Sequence, residues 1–181
     1  MNLANKITMA RVCLIPVFVV LCYWEFPGHR MAALAVFVIA SISDYVDGRL
    51  ARSRDMVTDF GKFMDPIADK MLTMSALCMF VSWGRTPAWV LLVILAREFA
   101  VSALRLIAVD NGKVIAAAWS GKVKTASTMV CIILMLLVTD SAATYSTILD
   151  FLCNLVMLVT TVYSGVEYFV KNKEVINWTD V

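Results

Sequence analysis

Six apolar stretches, 10–25, 31–47, 67–83, 87–107, 124–139 and 144–168, occupy most of this 181-residue chain. Short separators rich in turn formers and charge divide them, among them Glu25-Phe26-Pro27-Gly28, the Arg49-to-Lys62 segment, Gly84-Arg85-Thr86-Pro87 and Asp110-Asn111-Gly112-Lys113. A membrane-crossing helix needs about 20 predominantly apolar residues, so this pattern predicts five or six spans with no length left for a soluble domain. Composition agrees: 61% of residues are apolar and 17% charged, against about 45–50% and 25% in soluble domains. A water-soluble globule of this make-up would carry large apolar patches on its surface. The expected fold is therefore an all-α integral membrane protein, a six-transmembrane-helix bundle forming one domain over 1–181.

Charge excludes other classes and sets the orientation. Sixteen Lys and Arg stand against 14 Asp and Glu, a near balance that argues against nucleic acid as a partner. With six spans, all the basic residues except Arg30 and Arg85 fall nearer the end that holds both termini, which places the termini in the cytoplasm. The five cysteines lie inside apolar stretches without CxxC spacing and read as small buried hydrophobes. The only histidine, His29, falls in an outer loop. The first apolar stretch has no small-residue cleavage site after it and reads as a retained helix.

Two of the stretches are too short if charge is forbidden. Met31 to Ser43 is 13 residues before Asp44, and Met71 to Trp83 is 13 after Lys70. Each reaches spanning length only if the adjoining carboxylates belong to the same helix. An ionised group within a span costs about 2.5–3.5 kcal/mol at the bilayer centre, so the short runs point to a polar pocket at the cytoplasmic end of the bundle.

The carboxylates are Asp44 and Asp47, then Asp65 and Asp69. On helices these are i,i+3 and i,i+4 pairs, each on one face. Gly48 and Ala51 extend the first face and Gly61 lies one turn before Asp65, so backbones or a ligand can approach closely. Four ionised carboxylates at about 5–6 Å from one another repel by on the order of 15–20 kcal/mol in sum at an effective dielectric near 20, more than a typical domain's stability. The cluster must take up protons or bind cations. All-oxygen ligands favour Mg²⁺, Mn²⁺ or Ca²⁺, and Mg²⁺ completes its shell with phosphate oxygens and water. The bland reading is a solvated helix end. Two pairs flanked by small residues on two short spans fit a metal-and-phosphate site better.

The run Asp44-x2-Asp47-Gly48-x2-Ala51-Arg52-x8-Gly61-x3-Asp65-x3-Asp69 resembles the complete signature of the CDP-alcohol phosphatidyltransferases, with all eight positions filled. The likeness covers nearly the whole chain. Asn5-Lys6-Ile7-Thr8-Met9-Ala10-Arg11, Ala96-Arg97-Glu98-Phe99 and Gly121-Lys122-Val123-Lys124-Thr125 resemble the bacterial branch that joins CDP-diacylglycerol to sn-glycerol 3-phosphate and releases CMP. The resemblance implies that Asp44, Asp47 and Asp65, with Asp69, hold one or two Mg²⁺ or Mn²⁺ ions. It implies that Asp69 is the general base for the acceptor hydroxyl, and that Gly48 and Arg52 contact the nucleotide diphosphate with Thr58 nearby. Ala51 and Gly61 would line the same CDP-diacylglycerol site. Asn5 and Thr8 would join it, or would simply cap an interfacial helix. A homodimer in the bacterial inner membrane is also implied.

A dianionic acceptor needs cations beyond the metals. Arg97 and Arg105, eight residues apart, share about one helix face, and Lys122 and Lys124 begin the fifth span. Arg105, Lys122 and Lys124 are the expected phosphate ligands, with Arg97 either a ligand or the partner of Glu98; ordinary cytoplasmic-side anchoring is the competing reading. Lys70 receives no role. The same chemistry on another acceptor such as inositol phosphate, a small cation transporter, and a non-catalytic lipid-binding scaffold are the rival functions. Transporters tend to show repeated or broken helices, and the sequence has neither.

Overall fold

The computed structural model describes residues 3–53, 59–112, 115–116, 118–138 and 143–175. Within these it leaves the side chains of 3–8, 44–53, 59–66, 69, 143–144 and 175 undescribed. The described residues form six α-helices, α1 Leu3–Tyr23, α2 His29–Ser53, α3 Asp59–Ser82, α4 Ala88–Asp110, α5 Trp119–Leu137 and α6 Ala143–Lys171, followed by a 3-10 turn at Lys173–Val175. No strand occurs among them.

Each helix takes up one of the apolar stretches and most overrun it at a charged end. The second continues through Asp44 and Asp47 to Ser53, and the third begins at Asp59, ahead of Asp65 and Asp69. The short apolar runs thus belong to full-length helices, as their length required. The fifth helix begins at Trp119 and so includes Lys122 and Lys124. Hydropathy marks where apolar side chains sit, whereas backbone hydrogen bonding continues into charged sequence until a breaker stops it.

One such breaker shapes the turn between α3 and α4. Gly84 adopts a left-handed φ of +70°, where a glycine is without strain. The N–H groups of Arg85 and Thr86 then turn back to the Phe80 carbonyl at 2.9 and 3.2 Å, satisfying the end of α3. Pro87 opens α4 with φ −63°. This tight reversal carries the Arg85 side chain into the protein.

α1 lies against α2 and α3; α5 bridges α2, α3 and α6; α4 is held between α3 and α6. The main core joins Phe18, Phe37, Phe80, Ile94, Met135 and Met157, all fully buried, with the Phe18 and Phe37 rings 5.9 Å apart. A second, smaller core of Val101, Leu104, Ala108 and Tyr168 closes the other end of α4. The outward face is as apolar as the interior: Ile39, Leu92, Phe99, Leu106, Phe151 and Val166 are all exposed. Helices apolar on every side require an apolar surround. By length and composition, α5 and the 145–171 part of α6 are long and apolar enough to cross a membrane.

The cysteine reading needs one correction. Cys22, Cys131 and Cys153 are buried, but Cys13 and Cys78 face outward, and all five are free thiols. On a helix surrounded by hydrocarbon, an apolar position does not signify an interior one. His29 lies at the start of α2, its Nδ1 3.2 Å from the Leu21 carbonyl oxygen.

Candidate active site

The residues of the carboxylate motif lie on α2 and α3. Asp44, Asp47, Gly48, Ala51 and Arg52 fall in the C-terminal half of α2, and Gly61, Asp65 and Asp69 in the first half of α3. Their side chains, and those of Asn5 and Thr8 on α1, lie outside the described residues, as does Thr58 altogether. The backbone nevertheless bears on metal binding. Both segments are helical, so each acidic pair shares one face of its helix. As a donor set, four carboxylates would suit a hard divalent cation.

Directly after Asp69, Lys70 opens a second, cationic cluster whose side chains are described. Its centre is Glu98 on α4. Glu98 Oε1 accepts hydrogen bonds from Lys124 Nζ on α5 at 2.6 Å and from Arg97 Nη1 at 2.9 Å. Lys70 Nζ stands 3.8 Å from Glu98 Oε2 and donates to Ser102 Oγ at 2.6 Å. Lys124 is almost wholly buried, its side chain 5% exposed, and Arg97 nearly so at 12%. Charges this far from water persist only when paired, and here one carboxylate is shared by three cations from three helices.

Arg97 and Arg105, two turns apart on α4, both reach α6, consistent with the common face their spacing predicted. Arg97 Nη2 donates to Ser164 Oγ at 2.6 Å, and Arg105 Nε to the Tyr168 hydroxyl at 2.7 Å. The Arg105 guanidinium also lies 5.4 Å from the centre of the Tyr168 ring, within cation–π range. Room for Arg97 comes from a glycine on α6: a Cβ at Gly165 would sit 3.2 Å from Arg97 Cγ. Lys122 stands apart, exposed, with its ammonium 6.0 Å from the Trp119 ring centre.

Lys70, Glu98, Ser102 and Arg105 line the polar side of an open groove of about 760 Å³ between α3 and α4, walled by apolar residues such as Met71, Phe99 and Leu106. Among the described residues, Lys70, Arg97, Lys124 and Arg105 against Glu98 leave a formal excess of three positive charges. Such a cluster attracts anions. The sequence reading expected Arg97, Arg105 and Lys124 here and named the Arg97–Glu98 pair. It missed Lys70 and the three-way role of Glu98. One signal was present: Glu98, Ser102 and Arg105 recur at i, i+4 and i+7, a polar stripe on a helix apolar apart from it, Arg97 and the terminal Asp110.

The sequence model of the CDP-alcohol phosphatidyltransferase family matches residues 1–166. The chain belongs to the CDP-alcohol phosphatidyltransferase family. A relative from Bacillus subtilis named CDP-diacylglycerol–glycerol-3-phosphate 3-phosphatidyltransferase is 41% identical, covering 96% of both chains. A probable phosphatidylglycerophosphate synthase of Mycobacterium tuberculosis is 39% identical over 92% of this chain and 79% of its own. A Pseudomonas fluorescens relative bearing the same name as the Bacillus protein is 36% identical over 93% of this chain and 88% of its own. Membership of a CDP-alcohol phosphatidyltransferase family decides for an enzyme over the transporter and the scaffold.

Proposed function

We propose that this chain transfers the phosphatidyl group of CDP-diacylglycerol to sn-glycerol 3-phosphate, yielding phosphatidylglycerophosphate and CMP in phospholipid biosynthesis. The observation that carries this reading is the 41% identity to a relative of that activity across 96% of both chains. The eight-position carboxylate motif and the cationic cluster supply the matching chemistry.

In this reading Asp69 takes the proton from the 1-hydroxyl of the acceptor as its oxygen bonds to the β-phosphorus. The bond from that phosphorus to the CMP oxygen breaks, and CMP departs with the electron pair. Asp44, Asp47, Asp65 and Asp69 would hold one or two Mg²⁺ or Mn²⁺ ions, which when bound neutralise the diphosphate and stabilise the leaving group. Asn5, Thr8, Gly48, Ala51, Arg52, Thr58 and Gly61 bind CDP-diacylglycerol. Arg105, Lys122, Lys124 and Arg97 serve the acceptor phosphate. Among these Arg105 is exposed along the groove, while Arg97 and Lys124 act from behind through their field.

The surround is a bilayer crossed six times, with the pocket and both termini on the cytoplasmic side of the bacterial inner membrane, and the enzyme works as a homodimer. All six helices have 19 to 29 residues, enough for about 30 Å of hydrocarbon at 1.5 Å per residue.

The deciding experiment offers purified protein CDP-diacylglycerol with Mg²⁺ or Mn²⁺ and, in turn, glycerol 3-phosphate, inositol phosphate and serine, reading CMP. Glycerol 3-phosphate alone should support turnover, and chelation should stop it. Asp69→Asn should lower the rate by about 10²–10⁴, the usual contribution of a general base. Near-normal CMP release by well-folded Asp44→Asn and Asp69→Asn proteins would overturn the mechanism.

A further inference from the structure

Arg11 is the most deeply buried charged side chain among the described residues, 1% exposed. It lies one turn before Ile15 on the stripe of α1 that continues through Phe18 and Cys22, all three of them core residues. A charge so far from water persists only when it is matched, and two other arginines of the bundle show the match directly. Arg85, at the α3–α4 turn, grips Asp150 with both arms of its fork, Nε to Oδ2 at 2.8 Å and Nη2 to Oδ1 at 2.7 Å. Arg97 Nη1 donates to Glu98 Oε1 at 2.9 Å. Both are less buried than Arg11.

Arg11 is engaged, and the packing narrows what engages it. α1 lies against α2 and α3, whose carboxylates are Asp44 and Asp47 on α2 and Asp59, Asp65 and Asp69 on α3. Register points to one of them. α2 doubles back along α1 after a short turn, and the Phe18 and Phe37 rings meet at 5.9 Å. Seven residues back along α1 from Phe18, about 10 Å, stands Arg11. Seven residues forward along α2 from Phe37, the same distance in the same direction, stands Asp44. The buried stripe of α2 runs through Ala33, Phe37 and Ala40, each 0% exposed, and Asp44 is the next position on that face, one turn on. Asp47 lies a further turn along, and Asp59 is the first residue of α3.

We propose that Arg11 is a positioning residue for the metal site, its guanidinium holding the Asp44 carboxylate so that the remaining lone pairs are aimed at a divalent cation. A carboxylate offers about four lone-pair sites, and a guanidinium only donors. One arm of the fork therefore leaves room for a metal on the same carboxylate. Partners of this kind fix the orientation of a ligating group. At 1% exposure Arg11 offers no surface to a substrate; it acts through Asp44. It also brings one fixed positive charge to the four carboxylates, which offsets part of their mutual repulsion before any metal arrives. The proposal rests on the reading of these carboxylates as the metal site, with Asp44 among its ligands.

The test combines thermal melting with metal binding, both on the full-length protein in detergent. With chelator present, Arg11→Met should lower the melting temperature by roughly 6–20 °C, the range for stranding one member of a buried ion pair in a chain of this size. Adding Asp44→Asn to Arg11→Met should recover at least half of that loss, and Asp44→Asn alone should give no such gain in the parent. Asp47→Asn, Asp65→Asn and Asp69→Asn should shift the two backgrounds alike. Mn²⁺ affinity, read from the paramagnetic resonance signal of the free ion, should fall about 10–100-fold in Arg11→Met, the usual loss when the partner of a metal ligand is removed. Arg11→Lys keeps the charge but not the fork and should lose less. The sign is diagnostic, because loss of a positive charge alone would strengthen cation binding. An unchanged or raised Mn²⁺ affinity in Arg11→Met would overturn the proposal, as would coupling to another aspartate in place of Asp44. Should Arg11→Met not fold, Arg11→Lys carries the Mn²⁺ comparison, and the Arg11→Met, Asp44→Asn double variant, in which neither charge is stranded, should fold; its failure would refute the pair. A parent protein that binds no Mn²⁺ would instead refute the metal reading on which the proposal stands, whatever the melting cycle shows.

Discussion

Glu98→Gln isolates the central contact of the cationic cluster, because it removes one charge and changes almost nothing in shape. At an effective dielectric near 20, a unit charge pair at 2.6–2.9 Å is worth about 6 kcal/mol gross. Lys124 and Arg97 each stand at such a distance from Glu98 Oε1. Repulsion among the cations and the desolvation of each group offset much of that gain. The Lys70 contact at 3.8 Å adds little, since that side chain is 41% exposed and screened by solvent. Removing one partner of a buried charge set nonetheless leaves the others uncompensated, at a cost of about 3–5 kcal/mol. By the scaling for chains of 150–250 residues, that lowers the melting temperature by roughly 6–20 °C, followed through tryptophan fluorescence in detergent. Glu167→Gln is the control, because its partner Lys171 is 65% exposed, and it should leave the melting temperature unchanged. Kinetics give an independent sign. If Glu98 merely dilutes the positive field, its removal tightens binding of a dianionic acceptor and lowers KM. If it holds Lys70, Arg97 and Lys124 in place, KM rises while Glu98→Asp recovers part of the loss. A melting temperature within about 2 °C of the parent, or a lower KM, would refute the reasoning that one carboxylate organises the three cations.

Arg105→Gln removes both the hydrogen bond to Tyr168 and the exposed guanidinium of the groove. It should raise KM for glycerol 3-phosphate about tenfold, the loss expected for one charged hydrogen bond, with kcat changed far less; Tyr168→Phe, which frees Arg105 without removing it, should move KM in the same direction by a smaller factor. At the other end, Arg85→Ala strands a largely buried Asp150 and should cost about 3–5 kcal/mol. The double change Arg85→Met with Asp150→Leu should cost less than either single truncation in thermal melting, because no charge is left unpaired.

The course of α2 and α3 was readable from the sequence by length alone. Thirteen apolar residues cannot span hydrocarbon, so the aspartates had to be helical. The cationic cluster was only half readable. Arg97 and Glu98 are neighbours and Arg105 follows on their helix, but Lys70 and Lys124 lie 28 and 26 residues from Glu98. Helix periodicity does not say which helices become neighbours, and α3 and α5 meet Glu98 only through packing. Lys70 follows Asp69 by one residue, about 100° around the helix, and that rotation turns it towards Ser102 and Glu98 of α4. Asp150 was overlooked for a related reason. It is a carboxylate amid apolar residues of the 144–168 stretch, whose other carboxylate, Glu167, lies at its far end; such a position demands a partner, and that partner, Arg85, sits 65 residues earlier in a turn.

Arg30 and Arg85, the two basic residues expected on the outer side, bear on orientation beyond their number. Arg85 is neutralised by Asp150, and the Arg30 guanidinium lies 5.2 Å from the centre of the Trp83 ring. Neither presents an open positive patch to a membrane surface. At the opposite end three cations share one carboxylate with Arg105 beside them, and the next residue in the chain before Lys70 is the proposed base Asp69. That end therefore places two unlike demands side by side. In the proposed function the carboxylates of α2 and α3 would hold a cation, and the cluster around Glu98 would receive an anion. A divalent metal alone leaves the second demand unmet, and an anionic acceptor alone meets the first with repulsion. A lipid diphosphate held with a metal, beside a phosphorylated alcohol, satisfies both at once. This is the physical reason to prefer a phosphorylated acceptor over serine, which brings no net charge to the cluster.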